Sequence, residues 1–442
     1  MSDVAAHASY GEVLRGNRNF RRLWAGTVVS LFGDWFNTIA LFAMVRDLTG
    51  SPLAVGLVDA LKLSGYAAAT IPGGILADRL DRRTLMIAAD LLRAVLVCGF
   101  MLVHTASDVP LLYVLIVAQI ALGAVFDPAY RALLPNIVST RELMPANTLL
   151  SATWSTILAV GASIGGLVSS KLGYDAVFII NAGSYVFSAL SIFGIRMPAV
   201  EAPASVAATV GGDGARRRRL RPTYLALVAY GDLRDGVRYL FGHRNVLRLA
   251  CAKTAWALGG AALVYFLTQL GPRLEPTDAA FGIGILYSAR GLGTGIGPFA
   301  ARRWFQDMRR WAVIGGLAVS VSGVAYLVLG VVPWSYSMVV WIIIAHAASG
   351  ANWVLSTVLL QALVPDRLRG RVFAAELLML AIVEALVILA AAALLDGGAL
   401  DLRTGIIVFA ALQIVAGLAY AWWIRRDVDF ATTVAEGSTS DR

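Results

Sequence analysis

WAVIGGLAVSVSGVAYLVLGVVPWSYSMVVWIIIAHAASGANWVLSTVLLQALVP, residues 311–365, contains no Asp, Glu, Lys or Arg over 55 positions. An α-helix rises about 1.5 Å per residue and needs about 20 apolar residues to cross a hydrocarbon core of about 30 Å. The stretch is therefore long enough for two crossings, with Pro333-Trp334-Ser335 as the turn between them. Uncharged windows of the same kind run from Leu143 to Ser170, from Ala176 to Ile195 and from Thr404 to Ile424. Weaker windows with isolated charges complete a set of twelve spans, at roughly 22–46, 53–77, 84–106, 110–131, 144–170, 174–196, 249–271, 280–301, 311–331, 337–360, 372–395 and 402–424. They fall into two groups of six, so the sequence predicts an all-α membrane protein.

Composition leads the same way. Of the 442 residues 58% are hydrophobic and 15% charged, against roughly 45–50% and 25% in a soluble domain. Lipid must serve as solvent for much of the chain. The formal charge of +9 is an orientation signal, because loops rich in Lys and Arg stay on the cytoplasmic side. With both termini inside, cytoplasmic segments hold 29 of the 37 basic residues, whereas the outer loops hold only Arg46, Lys171, Arg273 and Arg403. Nucleic acid is accordingly not expected as a partner, and the location expected is the plasma (inner) membrane. No apolar signal segment precedes the first span, so no cleaved leader is expected. Cys98 and Cys251 lie in separate apolar stretches and form neither a disulfide framework nor a zinc site. Four scattered histidines give no metal cluster or catalytic base, and no phosphate-binding Gly-x-x-x-x-Gly-Lys-Ser/Thr loop is present. No enzyme activity, cofactor or metal is expected.

Residues 201–221, EAPASVAATVGGDGARRRRLR, read as a flexible cytoplasmic linker, with Arg216 to Arg219 against anionic headgroups. Beyond it Leu233, Val237, Leu240 and Phe241 recur at helical spacing opposite Arg234, Asp235 and Arg238, the pattern of an interfacial amphipathic helix. The expected organisation is a six-helix bundle over 1–197, a linker with that helix over 198–243, a second bundle over 244–426 and a disordered tail over 427–442.

The halves echo each other. Arg18-Asn19-Phe20-Arg21-Arg22-Leu23 before the first span returns as Arg244-Asn245-Val246-Leu247-Arg248-Leu249 before the seventh. Gly74 to Arg79 returns as Gly297 to Arg302, and Leu133-Leu134-Pro135-Asn136 as Leu363-Val364-Pro365-Asp366. Three matches in register indicate a duplicated six-span unit, an arrangement that places a binding site near the bilayer midplane, between halves that rock against each other.

Between the second and third spans the chain reads Gly74-Ile-Leu-Ala-Asp78-Arg79-Leu-Asp81-Arg82-Arg83. This resembles the loop signature of the major facilitator superfamily, with Asp81 where a second glycine is usual. The start RNFRRLW, the segment FDPAYRALLPNIVSTRELMPANTL (Phe126 to Leu149) and VPDRLRGRVF (Val364 to Phe373) resemble the branch of macrolide-efflux and enterobactin-exporter proteins. The resemblance implies two pseudo-symmetric six-helix bundles working by alternating access. It also implies a cytoplasmic gate of Gly74, Asp78, Arg79, Arg82, Arg83, Arg369 and Arg371, in which Asp78 meets nearby arginines or the positive N-terminus of the eleventh span, which begins after Arg369-Gly370-Arg371; the alternative is that Arg79, Arg82 and Arg83 only set topology. Gly74 is expected to let two helices approach closely. Gly161, Gly165 and Gly166 in the fifth span resemble the hinge signature of drug-proton antiporters, although Ala162 stands where that signature has proline. Gln119 stands about where many proton antiporters carry an arginine in the fourth span. Plain helix packing is the alternative reading for these glycines and for Gly291, Gly293, Gly295 and Gly297.

An ionisable group inside a span is costly and faces a cavity or a partner. Asp34 lies twelve residues into the first span, about 18 Å deep by the helical rise; Glu384 is as deep in the eleventh, and Arg290 sits in the eighth. Asp59 with Lys62, and Asp90 with Arg93, are three apart on one helix and suited to local neutralisation. Lys253 and Glu376 lie near a cytoplasmic end, within reach of the interface, and His346 is a single histidine in the tenth span. The candidate chamber thus comprises Asp34, Arg290, Glu384, Asp59, Lys62 and His346. Asp34 and Glu384 are the candidates to load and release a proton, and Arg290 is either a counter-ion to Asp34 or a holder of an anionic substrate group. The function expected is a secondary transporter, exporting a lipophilic or amphipathic small molecule against proton entry. An importer or lysolipid flippase of the same fold, and a non-transporting receptor or scaffold, are the alternatives.

Overall fold

A computed structural model describes residues 9–196, 222–304, 307 and 310–425. The expected linker residues 198–221 and the tail lie outside the described residues.

Among the described residues, twelve of the long helices form two bundles of six. The first half contains Arg18–Thr49, Pro52–Arg79, Arg82–Gly99, Val109–Ile137, Thr140–Leu172 and Tyr174–Phe193. The second contains Arg244–Leu274, Ala279–Trp304, Trp311–Val331, Ser337–Leu363, Asp366–Asp396 and Leu402–Arg425. These are the first to twelfth spans. Eleven meet a length and hydropathy standard for membrane crossing; the eighth, Ala279–Trp304, is the remaining helix of the second bundle, rich in glycine and interrupted by Arg290. Most helices outrun their predicted windows, because capping residues and not hydropathy set their ends. Asn17 accepts from the Phe20 amide at the start of the first span (2.9 Å), which ends at Gly50 in the left-handed region (φ 64°). Ser51 then caps the second span by accepting from Ala54 N (3.1 Å), with Pro52 at the first helical position. Pro222–Gly242 is a further helix, preceding the second bundle.

Large apolar side chains point outward, among them Val95, Val114, Leu190 and Phe299. In water this would be a liability, whereas in lipid it is the contact surface. Inside, glycines set how closely helices approach. Along the eighth span Gly291 and Gly295 face the fifth span, at Ala159 and Ser155, while Gly293 and Gly297 face the tenth, at Ile343 and Ala347. One glycine ladder thus serves two neighbours on alternate faces. Gly161 and Gly165 pack against Trp35 and Phe36 of the first span, and Gly166 against Ala280 of the eighth. Gly74, expected to mediate close approach, meets nothing within 4 Å; its neighbour Gly73 lies against Ala124 and Val125 of the fourth span instead. A one-residue shift along a helix turns a side chain by about 100°, enough to separate the two.

The halves meet where the second span crosses the eleventh and the fifth crosses the eighth. Near the ends remote from the termini, Ser51 Oγ donates to Asp396 Oδ1 (2.6 Å) and Tyr265 OH to Pro52 O (2.8 Å). At the pseudo-equivalent place Ser170 Oγ donates to Asp278 Oδ2, while Asp278 Oδ1 caps the eighth span at Phe281 N (3.0 Å). In each latch the N-cap residue of one helix meets the last turn of a helix in the other half, with Ser and Asp exchanged. Deeper, Ser163 and Ser288 hydroxyls lie 2.6 Å apart.

Candidate functional site

Asp34 does not pair with Arg290. Its carboxylate takes Arg93 of the third span (3.1 Å) and the hydroxyl of Tyr185 from the sixth. Arg93 also reaches Asp90 (3.4 Å) and lies over the Tyr185 ring (4.1 Å to the centroid). Gln119 Nε2 donates to Tyr185 OH (2.9 Å), and Asn37 Nδ2 to Gln119 Oε1 (3.4 Å). Four helices of the first half thus converge on one network. Asp90 is sealed, whereas the Asp34 side chain keeps 30% of its accessibility, so this carboxylate borders open space. Gly123 leaves room for the Arg93 guanidinium, which an added Cβ would touch at 3.7 Å. The local Asp90–Arg93 pair foreseen from spacing exists, but Asp34 completes it into a triad. Tyr185 and Asn37 were missed, since neither carries a formal charge.

A second group spans the boundary between halves. Arg290, Asp59, Lys62, Glu384 and His346 lie within electrostatic reach across the second, eighth, tenth and eleventh spans. Direct bonds within it are few. The Arg290 guanidinium stands over the Tyr287 ring (5.6 Å) and makes no hydrogen bond or ion pair among the described residues. Lys62 Nζ donates to Thr38 Oγ1 (2.6 Å) and approaches the Phe42 ring (5.8 Å); Asp59 and Lys62 stay within electrostatic reach of each other without a direct ion pair among the described residues. The reason is that Thr38 on the first span offers the ammonium a nearer acceptor. His346 is held by Tyr326 OH at Nε2 (2.9 Å) and Ser349 at Nδ1 (3.4 Å).

Two further groups lie within the spans, one half-buried and one buried. Tyr66 OH donates to Asp127 Oδ2 (2.5 Å); Asp127 lies within the FDPAYR segment that carries the resemblance, and an ionisable side chain inside a span was the signal available for it. Lys253 and Glu376 pair at 3.0 Å, both buried, with Trp353 and Phe373 around the ammonium. They face each other inside the bundle and do not reach outward to the interface, because the seventh and eleventh spans pack together there.

At the expected gate, Asp81 caps the third span through Thr84 N (2.8 Å) and Thr84 Oγ1 (2.6 Å), bonds that hold its carboxyl below the usual carboxylate range. That is what the carboxylate does where the family pattern has glycine. Arg82 donates to Ala132 O (2.9 Å), and Arg83 to Ile192 O (3.3 Å) and Phe193 O. Arg369 donates to Gln361 O (3.0 Å). Arg371 pairs with Asp232 (2.8 Å) and Asp235 (3.0 Å), tying the eleventh span to the Pro222–Gly242 helix. The Asp78 side chain lies outside those described, and Arg79 has a partner within the structure.

Twelve spans in two related halves around a charged centre define a secondary transporter. The sequence profile of the Major Facilitator Superfamily matches residues 23–275, and the chain belongs to that family. It is similar to macrolide efflux protein A of Streptococcus pyogenes, 22% identical over 366 residues, covering 80% of this chain and 84% of that one. It is also similar to the multidrug efflux pump Tap of Mycolicibacterium fortuitum, 27% identical over 350 residues, covering 77% and 80%. A crystal structure of a bacterial homologue of the human lysosomal transporter Spinster shares the fold, with a TM-score of 0.69 at 14% identity over 92% of this chain and 96% of that one. The homologues are transporters and not enzymes.

Proposed function

We propose that this chain exports a lipophilic or amphipathic small molecule against proton entry, in the plasma membrane with both termini in the cytoplasm. The observation that supports it is the charge balance of the first-half network. Asp34, Asp90 and Arg93 together carry −1 when ionised, and one proton on Asp34 brings the sum to zero while Arg93 keeps Asp90 as partner. The network therefore takes up and gives back a proton without stranding a buried bare charge, which would be costly. Protonation removes one of the two carboxylates from Arg93 and loosens the tie between the first and third spans. In this reading the bundles 1–197 and 244–426 move about the second–eleventh and fifth–eighth crossings, joined by 198–243. Gly161, Gly165 and Gly166 are the bending point, and Gly74, Asp78, Arg79, Arg82, Arg83, Arg369 and Arg371 the cytoplasmic gate.

Arg290 is the cation left for substrate. With the buried Tyr287 ring beside it and the half-buried Trp35 packed on that ring, it offers a charge with one aromatic neighbour to an amphipathic molecule, while Glu384 and Asp59 balance its field. Efflux relatives favour export over import. The test is a panel of labelled lipophilic compounds in proteoliposomes with an imposed pH gradient. Movement of at least one compound, lost when the gradient is collapsed, is the expected result. Transport of substrate unaffected by that collapse would remove proton coupling from the reading.

A further inference from the structure

A cavity of about 310 Å³ opens on the face that carries the termini, away from the charged chamber. Three guanidiniums line it, from Arg18 and Arg22 at the start of the first span and Arg196 just past the end of the sixth, with Asn17, Asn19 and Glu142. The walls are fixed. Asn19 and Arg196 exchange two hydrogen bonds, Asn19 Nδ2 to Arg196 O (2.7 Å) and Arg196 N to Asn19 Oδ1 (3.1 Å), which clamp the sixth span to the first. Asn17 Nδ2 donates to Ile137 O (2.8 Å) and to Glu142 Oε2 (3.2 Å). The carboxylate of Glu142 among the lining residues is thereby held in place, since it also accepts from Ser139 N (2.9 Å) and Ser139 Oγ (3.0 Å).

The arginines are less satisfied. Arg22 donates to Gly194 O, but the guanidiniums of Arg18 and Arg196 make no hydrogen bond or ion pair among the described residues. Three guanidiniums against the single carboxylate of Glu142 leave the concavity with a net positive charge, and a phosphodiester matches the planar donor fork of arginine. Two sources could supply that chemistry, free phosphate or a lipid. The position favours the lipid, since the cavity lies at the ends of the first and sixth spans, where lipid headgroups meet the protein. The outer side of the sixth span carries Val186, Leu190 and Phe193, exposed to 40%, 65% and 66%, and an acyl chain can lie along it.

We propose that this cavity binds the headgroup of one anionic phospholipid, its phosphodiester among Arg18, Arg22 and Arg196 and an acyl chain on the outer face of the sixth span. The bound lipid bridges the first and sixth spans, the two helices that bring Asp34 and Tyr185 together. The site stands apart from the transport reading and is tested without any substrate.

The experiment measures lipid retention by native mass spectrometry on the purified full chain, titrated with phosphatidylglycerol, with phosphatidylcholine and with inorganic phosphate. The variants are Arg18→Gln/Arg196→Gln and, as a control on the same face, Arg238→Gln. Expected is one tightly held phosphatidylglycerol, weakened about 30-fold in the double variant, from about 1 kcal/mol per arginine near a charged surface, and unchanged in the control. Both arginines are exposed, so the double variant should fold, and its elution and melting profile check this. Equal retention by wild type and double variant overturns the proposal. So does phosphatidylcholine binding as tightly as phosphatidylglycerol, or inorganic phosphate displacing the lipid at matching concentration, which would make the cavity a free-anion site.

Discussion

Two charged regions lie near the middle of this transporter and are built differently. The network of Asp34, Asp90 and Arg93 belongs wholly to the first half, is hydrogen-bonded through Tyr185, Gln119 and Asn37, and its three formal charges sum to −1, with Lys62 of the second group within electrostatic reach of Asp34. The group of Arg290, Asp59, Lys62 and Glu384 straddles both halves, sums to zero and has few direct bonds. A tightly bonded network with an odd charge suits a proton, which is small and changes charge by one. A loosely held, balanced group suits a larger guest that displaces nothing and uses the one unbonded cation. The Lys253–Glu376 pair is a third arrangement, sealed and balanced.

The sharpest way to break this contrast is Asp34→Asn. Transport driven by a pH gradient is expected to be abolished in proteoliposomes while the protein remains folded in the membrane; unchanged transport removes Asp34 from the mechanism. The Lys253–Glu376 pair supplies the opposite control. Lys253→Met alone should lower stability by about 3–5 kcal/mol, because it leaves a buried bare carboxylate, whereas Lys253→Met with Glu376→Leu should recover most of that loss. Thermal unfolding reads both, and equal melting of the single and double variants would show that the pair is not sealed.

A smaller effect is expected at the substrate side. Arg290→Gln should weaken apparent substrate affinity by about 10-fold or more, the scale of a lost charged hydrogen bond, with the pH dependence of transport retained. A changed pH profile at unchanged affinity would merge the two regions into one. Smallest is Ser51→Ala in the latch to Asp396. A single hydrogen bond contributes about 0.5–1.5 kcal/mol, so the balance between closed and open states should shift about 2- to 10-fold. Labelling of a cysteine introduced beside Tyr265 measures it, and identical labelling in both proteins would leave the latch without a gating role.

Much of the fold was legible because hydrophobic length and charge asymmetry are properties of the chain itself. The uncharged run 311–365 already requires two crossings, and the repeats of Arg18–Leu23 and Gly74–Arg79 already imply two related halves. The site was legible in part. Asp34, Arg290 and Glu384 stood out because a charge within a span is conspicuous, and the depth estimate placed them at similar levels. Their partners did not stand out. Nothing in the spacing of Asp34 and Arg93, on separate helices, distinguishes that pair from Asp34 and Arg290, and Tyr185 looks like any aromatic residue of an apolar helix. The motif marks Gly74, whereas Gly73 makes the close contact, because position in a motif says nothing about which way a helix is turned.

The sequence by itself determined that the chain crosses a membrane many times in two related bundles, since that depends on how much apolar surface each segment offers to lipid. Only the tertiary structure decided that Arg93 belongs to Asp34, that Lys253 and Glu376 face each other, and that the glycines of the eighth span serve two neighbours at once. Those outcomes depend on the rotation and crossing of helices far apart in the chain, where a turn of about 100° per residue selects the partner.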